Sequence, residues 1–262
     1  MIVAVAGGKG GVGKSTVALS LGGLLDGVVV DADLGMADLP QGRGPDLHDV
    51  LAGRATPDEA IRRVGSVDLL PCGRTIAGAS AADPTRIVDV LTSIDTRYGP
   101  VVVDCPAGLS ADVGLPFAAA DRCVLVTVPD RLSLPDAIRT RALARVLDAD
   151  VERVVLNRVG DDPPVERVRQ TFGTPVSTIP ESKAIGRAMA AGHPVTAVAP
   201  DSAAADRFRQ LAGAISSGSV GRGAVSGGPG ADDGSEVDRG RRPGRGGRHR
   251  SSSDPRRRDG KR

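Results

Sequence analysis

Residues 7–16 read GGKGGVGKST, directly after the apolar run Ile2-Val3-Ala4-Val5-Ala6 and directly before an amphipathic segment. Residues 8–15 fit G-x-x-x-x-G-K-[ST], a pattern whose glycines let successive backbone N–H groups converge on phosphate oxygens with no Cβ in the way. Gly8, Gly10, Gly11, Val12 and Gly13 supply the loop. Lys14 brings a point charge to the β/γ-phosphates, Ser15 offers a hydroxyl to Mg2+, and Thr16 continues the first turn of a helix whose positive end faces the anion. A glycine-rich turn without a ligand needs no particular neighbours; a phosphate cradle needs a buried strand before it and a helix after it, and both are written here.

The composition bounds the rest. A chain of 262 residues, 40% hydrophobic, is long enough for one α/β domain and an appendage. Aromatic residues are only 2%, so the core must be Val, Leu, Ile and Ala, the usual filling of a parallel sheet covered on both faces. Cys72, Cys105 and Cys123 are far apart with no C-x-x-C spacing, which signals neither a zinc site nor a disulfide framework and suits small buried hydrophobes. Residues 1–6 run straight into the cradle without a signal peptide, and no apolar stretch reaches membrane-spanning length, so a cytoplasmic protein is expected. The formal charge of +2 is unevenly placed: from Gly218 onward there are 12 Lys/Arg and 6 Asp/Glu. Lys9 and Lys14 are two of only 4 lysines, against 30 arginines, which suggests that the loop requires ammonium chemistry.

Along the chain, residues 14–26 read as the helix behind the loop, and Val28-Val29-Val30 as a short buried strand ending in Asp31-Ala32-Asp33. That strand is expected to lie beside the cradle strand, which puts its carboxylates where open α/β sheets bind ligands. Asp46-Leu47-His48-Asp49-Val50-Leu51 reads as a short helix begun by an aspartate cap, and residues 57–64 as another. His48 has no second histidine nearby and reads as a surface or internally satisfied residue. Residues 67–70 form a strand, 71–82 a loop broken by Pro71, Gly73 and Gly78, and 83–98 a helix. Pro100-Val101-Val102-Val103-Asp104 is an apolar strand ending in a carboxylate, the complement that the cradle requires: an aspartate holding Mg2+ through its water shell, opposite Ser15. Strands follow over 123–128, 153–156 and 175–179, and helices over 133–148, 164–172, from 180 to about 192, and 201–215.

Together these stretches resemble the MinD/ParA family of deviant Walker A ATPases, in its MinD-like branch. The resemblance rests on KGGVGKS, VVVDADLGMADL, Asp104-Cys105-Pro106-Ala107-Gly108, Asn157-Arg158 and Ile179-Pro180-Glu181, in family order over residues 1–216. It implies a three-layer P-loop NTPase domain with a mostly parallel sheet, binding ATP and Mg2+. It also implies that Lys9 reaches across an ATP-sandwiched homodimer to the partner's phosphates. Asp33 would orient or polarise the attacking water, with Asp31 as a support near Mg2+. Asn157 would read the adenine edge, and Pro180 would lie against the base. The expected catalytic set is thus Lys9, Lys14 and Asp33, and the metal set Ser15, Asp31 and Asp104.

Residues 217–262 depart from the family pattern. They are rich in Gly, Arg, Ser and Asp, too poor in hydrophobic residues to offset ordering, and are expected to be disordered. The membrane-binding amphipathic helix of the MinD branch is missing, so direct membrane insertion is not expected. The basic end can attract nucleic acid nonspecifically through phosphates, though it lacks aromatics for base stacking; a solvated solubility tail is the alternative. The expected function is slow, dimer-coupled ATP hydrolysis that positions or partitions a cargo with an activating protein. A nucleotide-switched binding protein without useful catalysis, and an iron–sulfur or metal-centre maturation ATPase on the same fold, are the alternatives.

Overall fold

The computed structural model describes residues 1–35, 39–108, 111–130 and 133–218. The expected tail, 217–262, therefore lies outside the described residues beyond Gly218, as do Met36, Ala37 and Asp38 of the stretch after Asp33.

The strands of the described residues are β1 (Ile2–Ala6), β2 (Val28–Asp31), β3 (Arg62–Val64), β4 (Val67–Leu70), β5 (Val101–Asp104), β6 (Arg122–Thr127), β7 (Val151–Val159) and β8 (Val176–Pro180). They form one sheet in the order β3-β4-β2-β5-β1-β6-β7-β8, parallel throughout except for the β3–β4 pair. Alternation along each strand splits the core in two, because successive side chains point to opposite faces. Val3, Val5, Val102, Val124 and Val126 pack on one face with α1 (Lys14–Leu24) and α11 (Ala203–Ser217), whose Phe208 and Leu211 are fully buried. Ile2, Ala4, Ala6, Val101 and Val103 pack on the other with α2 (Leu47–Leu51), α5 (Ile87–Tyr98) and α6 (Ala111–Ala119). Leu125, Val154 and Leu156 extend that second layer under α7 (Ser133–Val146) and α8 (Val165–Phe172). The result is the expected three-layer architecture.

Three expectations need correction. β2 does not lie beside the cradle strand: β5 stands between β2 and β1, so the carboxylate-bearing strands pair with each other and Asp31 is the register partner of Asp104. Residues 57–64 are not one helix. Thr56 and Glu59 form a capping box that starts α3 (Pro57–Ala60), but Arg62–Val64 then turns back through Gly65 and Ser66 to pair with β4, Val64 opposite Val67. Gly65 takes φ 59°, which a two-residue hairpin demands. Within the expected loop 71–82, Thr75 caps α4 (Ile76–Ala81) by accepting the Gly78 N–H at 2.9 Å. The remaining helices are α9 (Lys183–Ala191) and α10 (Val195–Val198).

Candidate phosphate-binding site

β1 delivers the glycine loop at the centre of the sheet, and α1 leaves from it. Gly13 is the N-cap of α1 at φ 100°, a left-handed conformation that a side chain strains, and no side chain caps the helix. The first-turn N–H groups of α1 therefore stay available for an anion. Two contacts hold the loop from outside. A Cβ on Gly8 would collide with the backbone of Asp136 on α7, and a Cβ on Gly13 would collide with the Asn157 amide. Gly10 and Gly11, by contrast, face open space.

The two loop lysines are used differently. Lys14 is 6% exposed at the start of α1. The Lys9 side chain is 36% exposed, and its Nζ lies 3.2 Å from Asp130 Oδ2. Asp130 also caps α7, its Oδ1 accepting the Ser133 N–H at 2.6 Å and its Oδ2 the Ser133 hydroxyl at 2.9 Å.

Across the loop stand the strand-end carboxylates. Asp31 is wholly buried, and its Oδ2 has no hydrogen-bond partner; its Oδ1 accepts the Asp33 N–H at 3.3 Å. Burial first, and the neighbouring Asp104 charge second, hold the Asp31 carboxyl well above the usual range. Asp104 is also buried, at the end of β5, with Ala32 donating to its carbonyl at 3.0 Å. Asp33 is half-buried and starts an Asx-type turn, its Oδ1 accepting the Gly35 N–H at 3.4 Å. Two adjacent buried carboxylates, one with an oxygen lacking a donor, suit a divalent cation that would offset their charge. Among the described residues no group of three or more His, Cys, Asp or Glu gathers as a metal site, so such an ion would also use Ser15, phosphate oxygens and water.

Asn157 sits at the end of β7, 4% exposed, with its Nδ2 donating to Val12 O at 2.8 Å and its Oδ1 accepting the Arg158 N–H at 2.9 Å. Arg158 is bulged at φ 55°, and the register shifts between Asn157 and Val159. This places the asparagine against the phosphate loop. Pro180 is half-buried at the end of β8, opposite Val159. Sequence reasoning gave no role to Asp130, although its place just after β6, three residues before a serine-started helix, is a capping signal. His48 proves to be buried and bonded within the chain, and the three cysteines are free and buried inside the protomer rather than gathered at a surface.

A buried strand, a glycine loop docked against α7 and the end of β7, a buried lysine opening a helix and two facing carboxylates define a P-loop nucleotide-binding domain. The CobQ/CobB/MinD/ParA nucleotide-binding domain model matches residues 3–195, and the chain belongs to that family. An ATP-binding protein of Methanocaldococcus jannaschii is 31% identical over 80% of this chain and 85% of its own length. The septum site-determining protein MinD of Bacillus subtilis is 27% identical over 80% of this chain and 87% of its own. The cell-division ATPase MinD of Pyrococcus furiosus superimposes with a TM-score of 0.77 at 31% identity, covering 82% of this chain and 98% of the other. The MinD of Pyrococcus horikoshii, solved with Mg-ADP, gives a TM-score of 0.77 at 30% identity, covering 82% and 96%.

Proposed function

We propose that this protein is an ATP-dependent, dimerising ATPase that uses slow Mg-ATP hydrolysis to position or partition a cellular cargo: a division site, a chromosome or plasmid, or another assembly. The carrying observation is the division of labour between the two loop lysines. Lys14 is buried in its own site, while Lys9 stands on the rim of the loop, held by an exposed aspartate. A cation on the rim is available to a facing copy. The relatives named as cell-division proteins and the Mg-ADP complex of one of them support the reading.

In this reading the loop amides and Lys14 fix the β/γ-phosphates, and Asp33 orients a water in line with the γ-phosphate. Ser15, with Asp31 and Asp104 behind a water shell, would hold Mg2+, which supplies charge neutralisation between the phosphate oxygens. Lys9 enters from the partner and offsets charge developing in the transition state. Asn157 and Pro180 flank the base. An activating protein triggers turnover. Residues 1–216 form the ATPase domain, working in the cytoplasm. Residues 217–262 form a basic tail whose charge can attract nucleic acid nonspecifically, with a solvated solubility tail as the alternative, and without direct membrane insertion; no helix among the described residues is long and apolar enough to cross a membrane.

Lys9→Ala tests the proposal. Charges supplied in trans are worth about 10³-fold or more in comparable phosphoryl-transfer sites, so turnover should nearly vanish while a single subunit still binds ATP. A Lys9→Ala protein that dimerises and hydrolyses ATP at the parental rate would refute it.

A further inference from the structure

β2 and β4 are hydrogen-bonded neighbours, so the segments leaving their C-terminal ends run side by side. α2 closes over one of them: the Leu47 N–H donates to Pro71 O at 2.8 Å and the His48 N–H to Cys72 O at 3.1 Å. Asp46 and Asp49 lock that end of α2 in a capping box. With the 71–72 carbonyls so engaged, the two side chains reach back to the Asp33 segment. The Cys72 thiol donates to Asp33 O at 3.0 Å, and His48 Nε2 lies 3.2 Å from Leu34 O and 3.4 Å from Cys72 Sγ.

A carbonyl only accepts, so in the bond to Leu34 O it is His48 Nε2 that donates. Nδ1 has no hydrogen-bond partner and faces Gly73 and Gly78, where an added Cβ would stand 2.5 and 3.1 Å away. Burial, followed by the charges of Asp31, Asp33 and Asp46, raises the Cys72 thiol far above its ordinary value, so it keeps its hydrogen. Behind Leu34 and Gly35 opens a cleft of about 800 Å³, bounded on its other side by Arg74, Thr75 and Ile76. Leu34 packs against the core on one side; toward the cleft, the 33–34 carbonyls are held by the hydrogen bonds from Cys72 and His48.

We propose that Cys72 and His48 are positioning residues for Asp33: their hydrogen bonds to two consecutive carbonyls, those of Asp33 and Leu34, fix the backbone that aims the Asp33 carboxylate at the phosphate site. The inference rests on the reading of Asp33 as the water-orienting group. Neither side chain touches substrate. Each acts by denying the 33–34 peptides the freedom to swing into the cleft, and displacements on the order of 1 Å can cost about 10²-fold in rate.

The test is steady-state ATP hydrolysis by the full chain carrying Cys72→Ala, Cys72→Ser, His48→Leu or His48→Gln. The Ala and Leu variants should lose about 5- to 30-fold in kcat with KM for ATP unchanged, as expected when only transition-state geometry is spoiled. The Ser and Gln variants retain a donor and should return to within about threefold of the parent. A parental kcat for Cys72→Ala, a serine variant no better than alanine, or a loss confined to KM would overturn the proposal. If His48→Leu does not fold, the Cys72 pair decides alone. Asp33→Asn is run beside them. If it remains active, the reading of Asp33 fails and takes this inference with it; if it is inactive while the Cys72 pair is insensitive, the positioning role alone fails.

Discussion

Replacing Asp31 with asparagine should make the nucleotide-free protein more stable while removing its response to Mg2+. Asp31 is fully buried, one carboxylate oxygen lacks a donor, and its register partner is Asp104. Every pKa unit by which the folded state exceeds the unfolded one costs about 1.4 kcal/mol once the pH lies above both values. Asparagine keeps the shape and removes the charge, and its amide can donate toward the neighbouring carboxylate. A gain of about 1–3 kcal/mol follows from relieving one buried unsatisfied group. For a domain of this size that raises Tm by roughly 2–12 °C. The pH dependence has a fixed sign. Because the folded pKa of Asp31 is raised, the parent loses stability as pH rises from the unfolded pKa through the folded one, so the gap between variant and parent should be small near pH 4 and widen as pH rises through the neutral range. Differential scanning calorimetry across that range, with and without Mg-nucleotide, measures both effects. A variant that melts below the parent without metal at neutral pH, or that gains as much as the parent from Mg-nucleotide, would refute the reasoning.

Asp130→Asn should release Lys9 without uncapping α7, since the amide oxygen can still accept from Ser133. Both partners are exposed, so the pair is worth about 0–1 kcal/mol, and ATP-dependent dimerisation measured by sedimentation should tighten by no more than about fivefold; weaker dimerisation would mean that Asp130 serves the assembled state instead. Truncation after Ser217 should leave ATP turnover intact and abolish a salt-sensitive affinity for DNA, read by fluorescence anisotropy in rising salt. Equal DNA binding by both chains would count against a nucleic-acid role for the tail.

The parts of the fold that were legible in the sequence are those with strong local signals. The five apolar residues of β1, the three valines before Asp31 and the three before Asp104 each announce a strand buried on both faces, and each ends at the candidate site. Strand order was less legible. Nothing local to residues 28–31 says that a strand made about seventy residues later will insert between it and β1, because pairing is a non-local choice. The turn within 57–67 is carried by local signal too: Val64-Gly65-Ser66-Val67 has a two-residue hairpin pattern, which the helical reading of residues 57–64 left out. Of the site, the loop and carboxylates were readable from residue type and position. The contacts of Asp130, Cys72 and His48 were not, because each depends on which strand ends the topology brings side by side.

The docking of the glycine loop also bears on how the chain acquires its shape. Residues 2–6 emerge from synthesis about a hundred residues before either neighbouring strand, and the residues that Gly8 and Gly13 lie against, Asp136 and Asn157, come later still. The cradle's sequence is complete at residue 16, but its walls are not. The loop therefore reaches this geometry only after β7 has been laid down, even though its motif is among the first things translated.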